Sequence, residues 1–296
     1  MRVSMRLERF ADIAAFAARV EPYLLTHEAT NCLPLGLLAT LPGEPLPGGE
    51  IPYMALVSDA GGAVLLVALR TPPFGLILSL LAPAVAADAD ATNAALALVA
   101  DDVADCYAGR LPGVHGPVPV ARLFAEIWQR RTGRAARLVV HERVYQLETV
   151  IPASAPGAMR PVAEGDRDLL TRWMTAFAAE ALPEQGIDAA AWVDHYLASP
   201  SRGGYLWEDG VPVAWVGYGN PTARGIRIGP VYTPPEQRGH GYASACVAAT
   251  SQWLLESGRT FCFLFTDLAN PTANHIYQTV GYNPVNDVDV YEIEME

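Results

Sequence analysis

"VYTPPEQRGHGYASA", residues 231–245, is the stretch on which the reading of this chain turns. An apolar run, Ile226–Tyr232, enters it, and an Ala-rich run, Tyr242–Ser257, leaves it. Two prolines and the pair Gly239/Gly241 lie between them. The spacing predicts a strand, a turn and a helix. The first amides of a helix have no partner inside the helix, and the aligned peptide dipoles make that end positive. Glycines remove the side chains that would cover those amides. Gly239–His240–Gly241 therefore suits a cradle for a phosphate or diphosphate, with Arg238 at its rim. By spacing alone an ordinary strand-to-helix turn fits equally well. A P-loop does not fit, because no lysine stands in the stretch. A dinucleotide-binding loop fits poorly: Ser244 occupies the place of the third glycine, and Asp267 lies too far along.

Outward from this turn, the C-terminal half reads as alternating strands and helices. Extended segments are expected at Met159–Val162, Gly204–Glu208, Val211–Gly219, Ile226–Tyr232, Phe261–Thr266 and Tyr282–Ile293. Helices are expected at Asp166–Ala181, Asp188–Ala198, Tyr242–Ser257 and Pro271–Val280. Asp209-Gly210 marks a hairpin, Asp188 a helix N-cap and Gly258 a helix end. In the N-terminal half, helices are expected at Leu7–Val20, Pro22–Ala29, Ala89–Tyr107 and Val118–Arg131. Strands are expected at Ile51–Val57, Ala63–Arg70, Gly75–Leu81 and Arg137–Val150, with a brief extended piece in Leu111–Pro117. Leu41–Glu50 reads as a turn-rich loop. "IPASAPGA", residues 151–158, has a linker composition, which divides the chain into domains at 1–150 and 159–296. The similar element order of the two halves suggests the duplication of one α+β unit.

Composition narrows the classes. The chain has 296 residues, 51% hydrophobic and 18% charged, which suits one large or two ordinary folded domains. Its formal charge of −12 argues against nucleic acid and anionic membrane surfaces as partners. Cys32, Cys106, Cys246 and Cys262 form no CxxC pair and no zinc-type spacing, so no metal is expected and the thiols read as free. The longest apolar run, Phe74–Ala87, is short and broken by Pro83, and the first residues lack the pattern of a signal peptide. A cytoplasmic location is expected.

Two stretches together resemble the GCN5-related N-acetyltransferase (GNAT) superfamily. The first is Val231–Ala245, similar to the family's strand, Q/R-x-x-G-x-G/A loop and helix. The second is "NPTANHIYQTVGY", residues 270–282, with Asn270, Ala273, Tyr277, Gly281 and Tyr282 at the family's spacing. The resemblance covers about residues 159–296. It implies an α+β acyl-CoA N-acyltransferase fold, in two tandem copies if the element order is followed. It implies acetyl-CoA as cosubstrate and an amine as acceptor, on a small molecule or an amino terminus. Backbone groups of Val231, Tyr232 and Thr233 would line the pantetheine arm. The amides of Arg238, Gly239, His240, Gly241, Tyr242 and Ala243 would hold the diphosphate. Asn270 would touch the arm, and Tyr277 would lie near the sulfur as the acid.

Transfer to an amine needs a neutral nucleophile, a polarised carbonyl and a protonated leaving group. Glu208 and Glu180 are the candidate bases, although a solvated carboxylate is the commoner role for either. Tyr218, Tyr232 and Trp215 are candidates to line the acceptor pocket. The corresponding turn of the N-terminal half, "APAVAADADAT" at residues 82–92, has no Gly-x-Gly and carries Asp88 and Asp90, so this half is expected to hold no cofactor. Two other classes stay open: a CoA-binding sensor without turnover, and a nicotinamide-dependent oxidoreductase.

Overall fold

The computed structural model describes residues 4–43, 50–181 and 186–295. The chain forms two compact units. Unit 1 is 1–144 with 265–269 and 285–296; unit 2 is 145–264 with 270–284. The expected linker is not a border in this division. The units meet in sequence at Val144/Tyr145, inside a strand, and residues 151–157 are bonded into unit 2. Ile151 N–H donates to Val280 O at 2.7 Å, and Trp207 Nε1 donates to Pro156 O at 2.7 Å. Of the loop expected at 41–50, residues 44–49 lie outside the described residues.

Unit 1 runs β1 (Met5–Arg9), α1 (Ile13–Leu24), α2 (Cys32–Thr40), β2 (Tyr53–Asp59), β3 (Val64–Arg70), β4 (Leu76–Leu78), α3 (Pro83–Ala86), α4 (Ala89–Cys106), β5 (Gly113–Pro117), α5 (Val118–Thr132) and β6 (Ala136–Leu147, in this unit to Val144). The helix expected from Leu7 begins only at Ile13. Met5 and Leu7 alternate with Arg6 and Glu8, a period of two, and pack on the core as β1, antiparallel to β2. Asp12 then caps α1, accepting from Ala15 N–H at 2.7 Å. The helix α2 escaped the sequence reading because "CLPLGLLAT" is apolar all round and shows no stripe.

Strands β2 and β3 are buried on both faces, as their unbroken apolar runs require. Met54, Leu56, Val67 and Leu69 face Phe16, Val20 and Leu24 of α1 and Leu35 and Leu38 of α2. Tyr53, Ala55, Val57 and Ala68 face the layer of α4 and α5, with Leu96, Val99, Phe124 and Trp128. Each fully buried aliphatic or Phe side chain contributes about 1.5–3 kcal/mol.

Unit 2 repeats this order as β7 (Ala158–Pro161), α6 (Arg167–Ala181), α7 (Ala189–Ala198), β8 (Gly203–Glu208), β9 (Pro212–Gly219), β10 (Gly225–Tyr232), α8 (Tyr242–Glu256), β11 (Phe261–Asp267, in this unit to Leu264) and α9 (Pro271–Val280). In both units four antiparallel-linked strands lead to one parallel pair: β1-β2-β3-β4 then β5, and β7-β8-β9-β10 then β11. Leu206, Trp215 and Tyr232 pack on α6 and α7 on one sheet face; Tyr205, Val216 and Ile228 pack on α8 and α9 on the other.

The last strand, β12 (Asn283–Ile293), does not stay with the unit that precedes it. From Val288 to Glu292 it pairs antiparallel with β5, in unit 1. Its acids meet bases of β6: Asp287 with Arg143 at 2.6 and 2.9 Å, Asp289 with His141 at 2.5 Å, and Glu292 with Arg137 at 2.7 Å.

Candidate active site

The site begins in strand pairing. Strand β10 runs parallel to β11 only at Gly225, Ile226 and Arg227, opposite Phe261, Cys262 and Phe263. No pairing of Ile228–Tyr232 with β11 follows among the described residues, which leaves main-chain groups of this stretch free for another partner. On its other side β10 bulges at Gly229-Pro230, between the pairs Ile228/Tyr218 and Val231/Val216. Gly229 has φ +144° and is joined to Pro230 by a cis peptide.

Downstream, Pro235–Gln237 form one 3₁₀ turn, and Gly239 (φ +82°) and Gly241 (φ +80°) bring the chain into α8. An added Cβ would meet nothing within 4 Å at Gly239, and at Gly241 only Ser154 O at 3.8 Å and Ala155 Cβ at 3.9 Å. These glycines are therefore required by left-handed backbone, not by crowding. Gly241 is the N-cap and supplies no side-chain acceptor. The first recorded main-chain bond is Ala245 N–H to Gly241 O at 3.0 Å; among the described residues the amides of 239–244 have no acceptor. Open amides at a helix N-terminus are what an anion requires.

The side chains of the loop are already engaged. Arg238 donates through Nε to Thr233 O at 2.9 Å and through one terminal nitrogen to both Glu180 oxygens, at 3.0 and 2.7 Å. The Thr233 carbonyl is thus taken, while Thr233 Oγ1 is buried with no partner. His240 Nδ1–H donates to Gln237 O at 3.3 Å, and its ring stacks on Tyr242 at 5.5 Å. The Tyr242 hydroxyl donates to Asp209 at 2.6 Å, tying the first residue of α8 to the β8–β9 turn. Ala243 contributes only its amide. Val231 lies half-buried against the α8 side of the sheet, and Tyr232 is buried on the other, 6.0 Å from the Trp173 ring.

Asn270 is the N-cap of α9: its Oδ1 accepts from Ala273 N–H at 3.0 Å, which leaves its amide nitrogen directed elsewhere. Two turns on, Tyr277 is buried, its ring 5.9 Å from Tyr282. Burial pushes its phenol up to about 12, against a smaller opposing effect of Arg227. Among the described residues its hydroxyl has no hydrogen-bond partner. A phenol that stays protonated at neutral pH and is not otherwise used is a fitting proton donor.

The expected bases fare differently. Glu208 accepts from Arg160 Nε at 2.7 Å, in a cluster where Arg160 also forks onto Asp166 at 2.7 and 2.8 Å. It ends β8 opposite Pro212, several residues along the sheet from the bulge. Glu180 is held by Arg238. Both carboxylates are thus held by guanidinium partners, Glu208 by Arg160 and Glu180 by Arg238. The expected acceptor lining also separates. Trp215 and Tyr218 are an odd number of residues apart on β9 and face opposite ways: Trp215 packs with Trp192 and Tyr196, and Tyr218 with Tyr205 and Trp253. The packing of Trp192 and Tyr196 on Trp215 was not legible in the sequence, because their helix carries no pattern beyond ordinary amphipathicity.

Residues 167–282 match the model of the Acetyltransferase (GNAT) family. This segment is a GNAT acetyltransferase domain. It spans the whole of the cradle, β10 and the α9 motif. No curated protein matches the chain in sequence. Solved structures extend the likeness of fold past the GNAT domain. A Drosophila protein matches at TM-score 0.65 and 12% identity, covering 97% of this chain and 98% of its own. A tandem GNAT protein from the clavulanic acid biosynthesis pathway matches at TM-score 0.58 and 12% identity, covering 98% of each. A GCN5-related N-acetyltransferase from Sphaerobacter thermophilus matches at 0.58 and 16%, covering 97% and 94%. The fold is the α+β acyl-CoA N-acyltransferase fold. Among the described residues, no helix is long and apolar enough to cross a membrane.

Proposed function

We propose that the GNAT domain moves the acetyl group of acetyl-CoA to an amine of a small molecule or an amino terminus, by direct attack. The uncapped start of α8 carries this reading. Its two left-handed glycines and open amides suit a diphosphate, and the buried, unpaired Thr233 hydroxyl and the unpaired half of β10 suit the arm beyond it. Bound there, acetyl-CoA supplies an acetyl group activated as a thioester. The amides from Arg238 to Ala243 hold the diphosphate. Main-chain groups of Val231 and Tyr232 line the arm and polarise the carbonyl, and Asn270 offers its free amide nitrogen. Tyr277 holds a proton at its hydroxyl for the leaving sulfur. No carboxylate is assigned as base. The reaction belongs in the cytoplasm, where acetyl-CoA is available, and needs no metal.

Unit 1 is proposed to hold no acetyl-CoA. Its α4 starts at Asp88, whose carboxylate accepts from Asp90 and Ala91 N–H at 3.0 and 3.1 Å. Those amides are spent, and the carboxylate repels a phosphate. Thiol release from acetyl-CoA across a panel of amines tests the function. Release with at least one amine, abolished with the cradle variant below, is expected. Tight CoA binding with no release from any amine would favour the sensor reading instead.

A further inference from the structure

Unit 1 contains a buried cation that its own fold does not neutralise. Arg70, the last residue of β3, is 8% exposed. Its Nε donates to Phe74 O at 2.8 Å, closing the Thr71–Phe74 turn, and its guanidinium lies 4.2 Å from the centroid of the Tyr107 ring. Among the described residues no carboxylate pairs with it, and its two terminal nitrogens have no acceptor. Those nitrogens are not sealed in, as Trp128 Nε1 and both ring nitrogens of His115 are. The neighbouring acid is committed elsewhere. Tyr53, paired with Arg70 across β2–β3, donates to Asp102 at 2.7 Å, and Asp102 also faces Arg9 at 3.5 Å.

A guanidinium has five donors in a planar fork, and here one is used. Removing it from water without a counter-charge is costly, and stacking on a ring recovers only part of that cost. Terminal nitrogens that are free, parallel and in reach of solvent match the two oxygens of a carboxylate or phosphate. Tyr53 and Tyr107, with rings 6.2 Å apart, and the largely exposed Phe74 add apolar surface beside them. We propose that Arg70, stacked on Tyr107, anchors a small-oxyanion site in unit 1, which takes a carboxylate or phosphate group carried on a small organic body. This site is independent of the acetyl-transfer reading.

The test is thermal unfolding of the full chain at constant ionic strength, in acetate, benzoate, inorganic phosphate and phenyl phosphate, with chloride as the reference. The measurements are made on the Gly241→Glu variant, so that the α8 cradle does not answer the same anions. At ten times the dissociation constant, the midpoint is expected to rise by about 3–5 °C. Arg70→Gln is expected to abolish the rise. Arg70→Lys keeps the charge but not the fork, and is expected to weaken binding about ten-fold. A rise with carboxylates only, or with phosphates only, supports the site and names its ligand class. No rise with any anion overturns it, and so does an equal rise in Arg70→Gln. If Arg70→Gln does not fold, an Arg70→Lys response identical to that of the parent overturns it as well.

Discussion

Helices α4 and α8 occupy the same place in two units of the same strand order, yet they begin in opposite ways. Helix α8 starts at Gly241 in left-handed backbone and leaves its first amides open. Helix α4 starts at Asp88 in extended backbone and closes two of its first amides on its own carboxylate. In unit 1, Leu76 and Ile77 pair with Val114 and His115, and an added Cβ on the next residue, Gly116, would stand 3.1 Å from Leu78 O. In unit 2 the pairing ends at Arg227/Phe263. One carboxylate separates a helix end that serves its own fold from one that can serve a ligand.

The largest break in this contrast should come from Gly241→Glu. It forces a side chain into left-handed backbone and puts a negative charge at the open amides. CoA affinity measured by calorimetry is expected to fall about 100-fold or more. Retained affinity would remove the cradle. Tyr277→Phe comes next. Turnover is expected to drop about 10–100-fold, with little change in the unfolding midpoint because the hydroxyl makes no bond. Unchanged turnover would end the acid role.

Asn270→Asp sharpens the contrast from the other side. The cap on Ala273 survives, the amide nitrogen is lost, and CoA is expected to bind several-fold more weakly at unaltered stability. The corresponding change in unit 1, Asp88→Ala, should cost about 1 kcal/mol of stability and leave CoA affinity as it was. A loss of CoA affinity there would contradict a cofactor-free unit 1.

The smallest effect is a slope with pH. Burial pushes the thiols of Cys246 and Cys262 up to about 12 from an ordinary 9.0, and the Tyr277 phenol up to about 12 from 10.0. The unfolded chain loses these protons first. Their stabilising effect is therefore complete below pH 9 and shrinks as pH rises toward 12. Cys246→Ala should flatten the fall of the midpoint between pH 9 and 12; an unaltered slope would argue against the buried thiol.

Local signals in the sequence matched local structure closely. The helix expected at Pro271–Val280 is α9 to the residue, because Asn270 caps it, Pro271 opens it and Gly281 ends it in left-handed backbone. The Asp209-Gly210 hairpin and the Asp188 cap followed from the same chemistry. β1 was lost because five residues of alternating Met, Arg, Leu and Glu fit a helix face as well as a strand until a partner strand chooses between them. The partner of Glu208 was hidden for a related reason: nothing in the chain near it announces Arg160, forty-eight residues away.

The order of residues from 231 to 282 by itself determined a strand, an open helix end and a capped helix carrying a tyrosine, since glycine backbone, caps and apolar period act over a few residues. Only the tertiary structure decided that 151–157 is bonded into unit 2, that Glu208 and Glu180 are paired with arginines, and that most of the final strand belongs with β5 in unit 1. Pairing partners across a sheet are chosen by energies spread over distant residues, and no short stretch contains them.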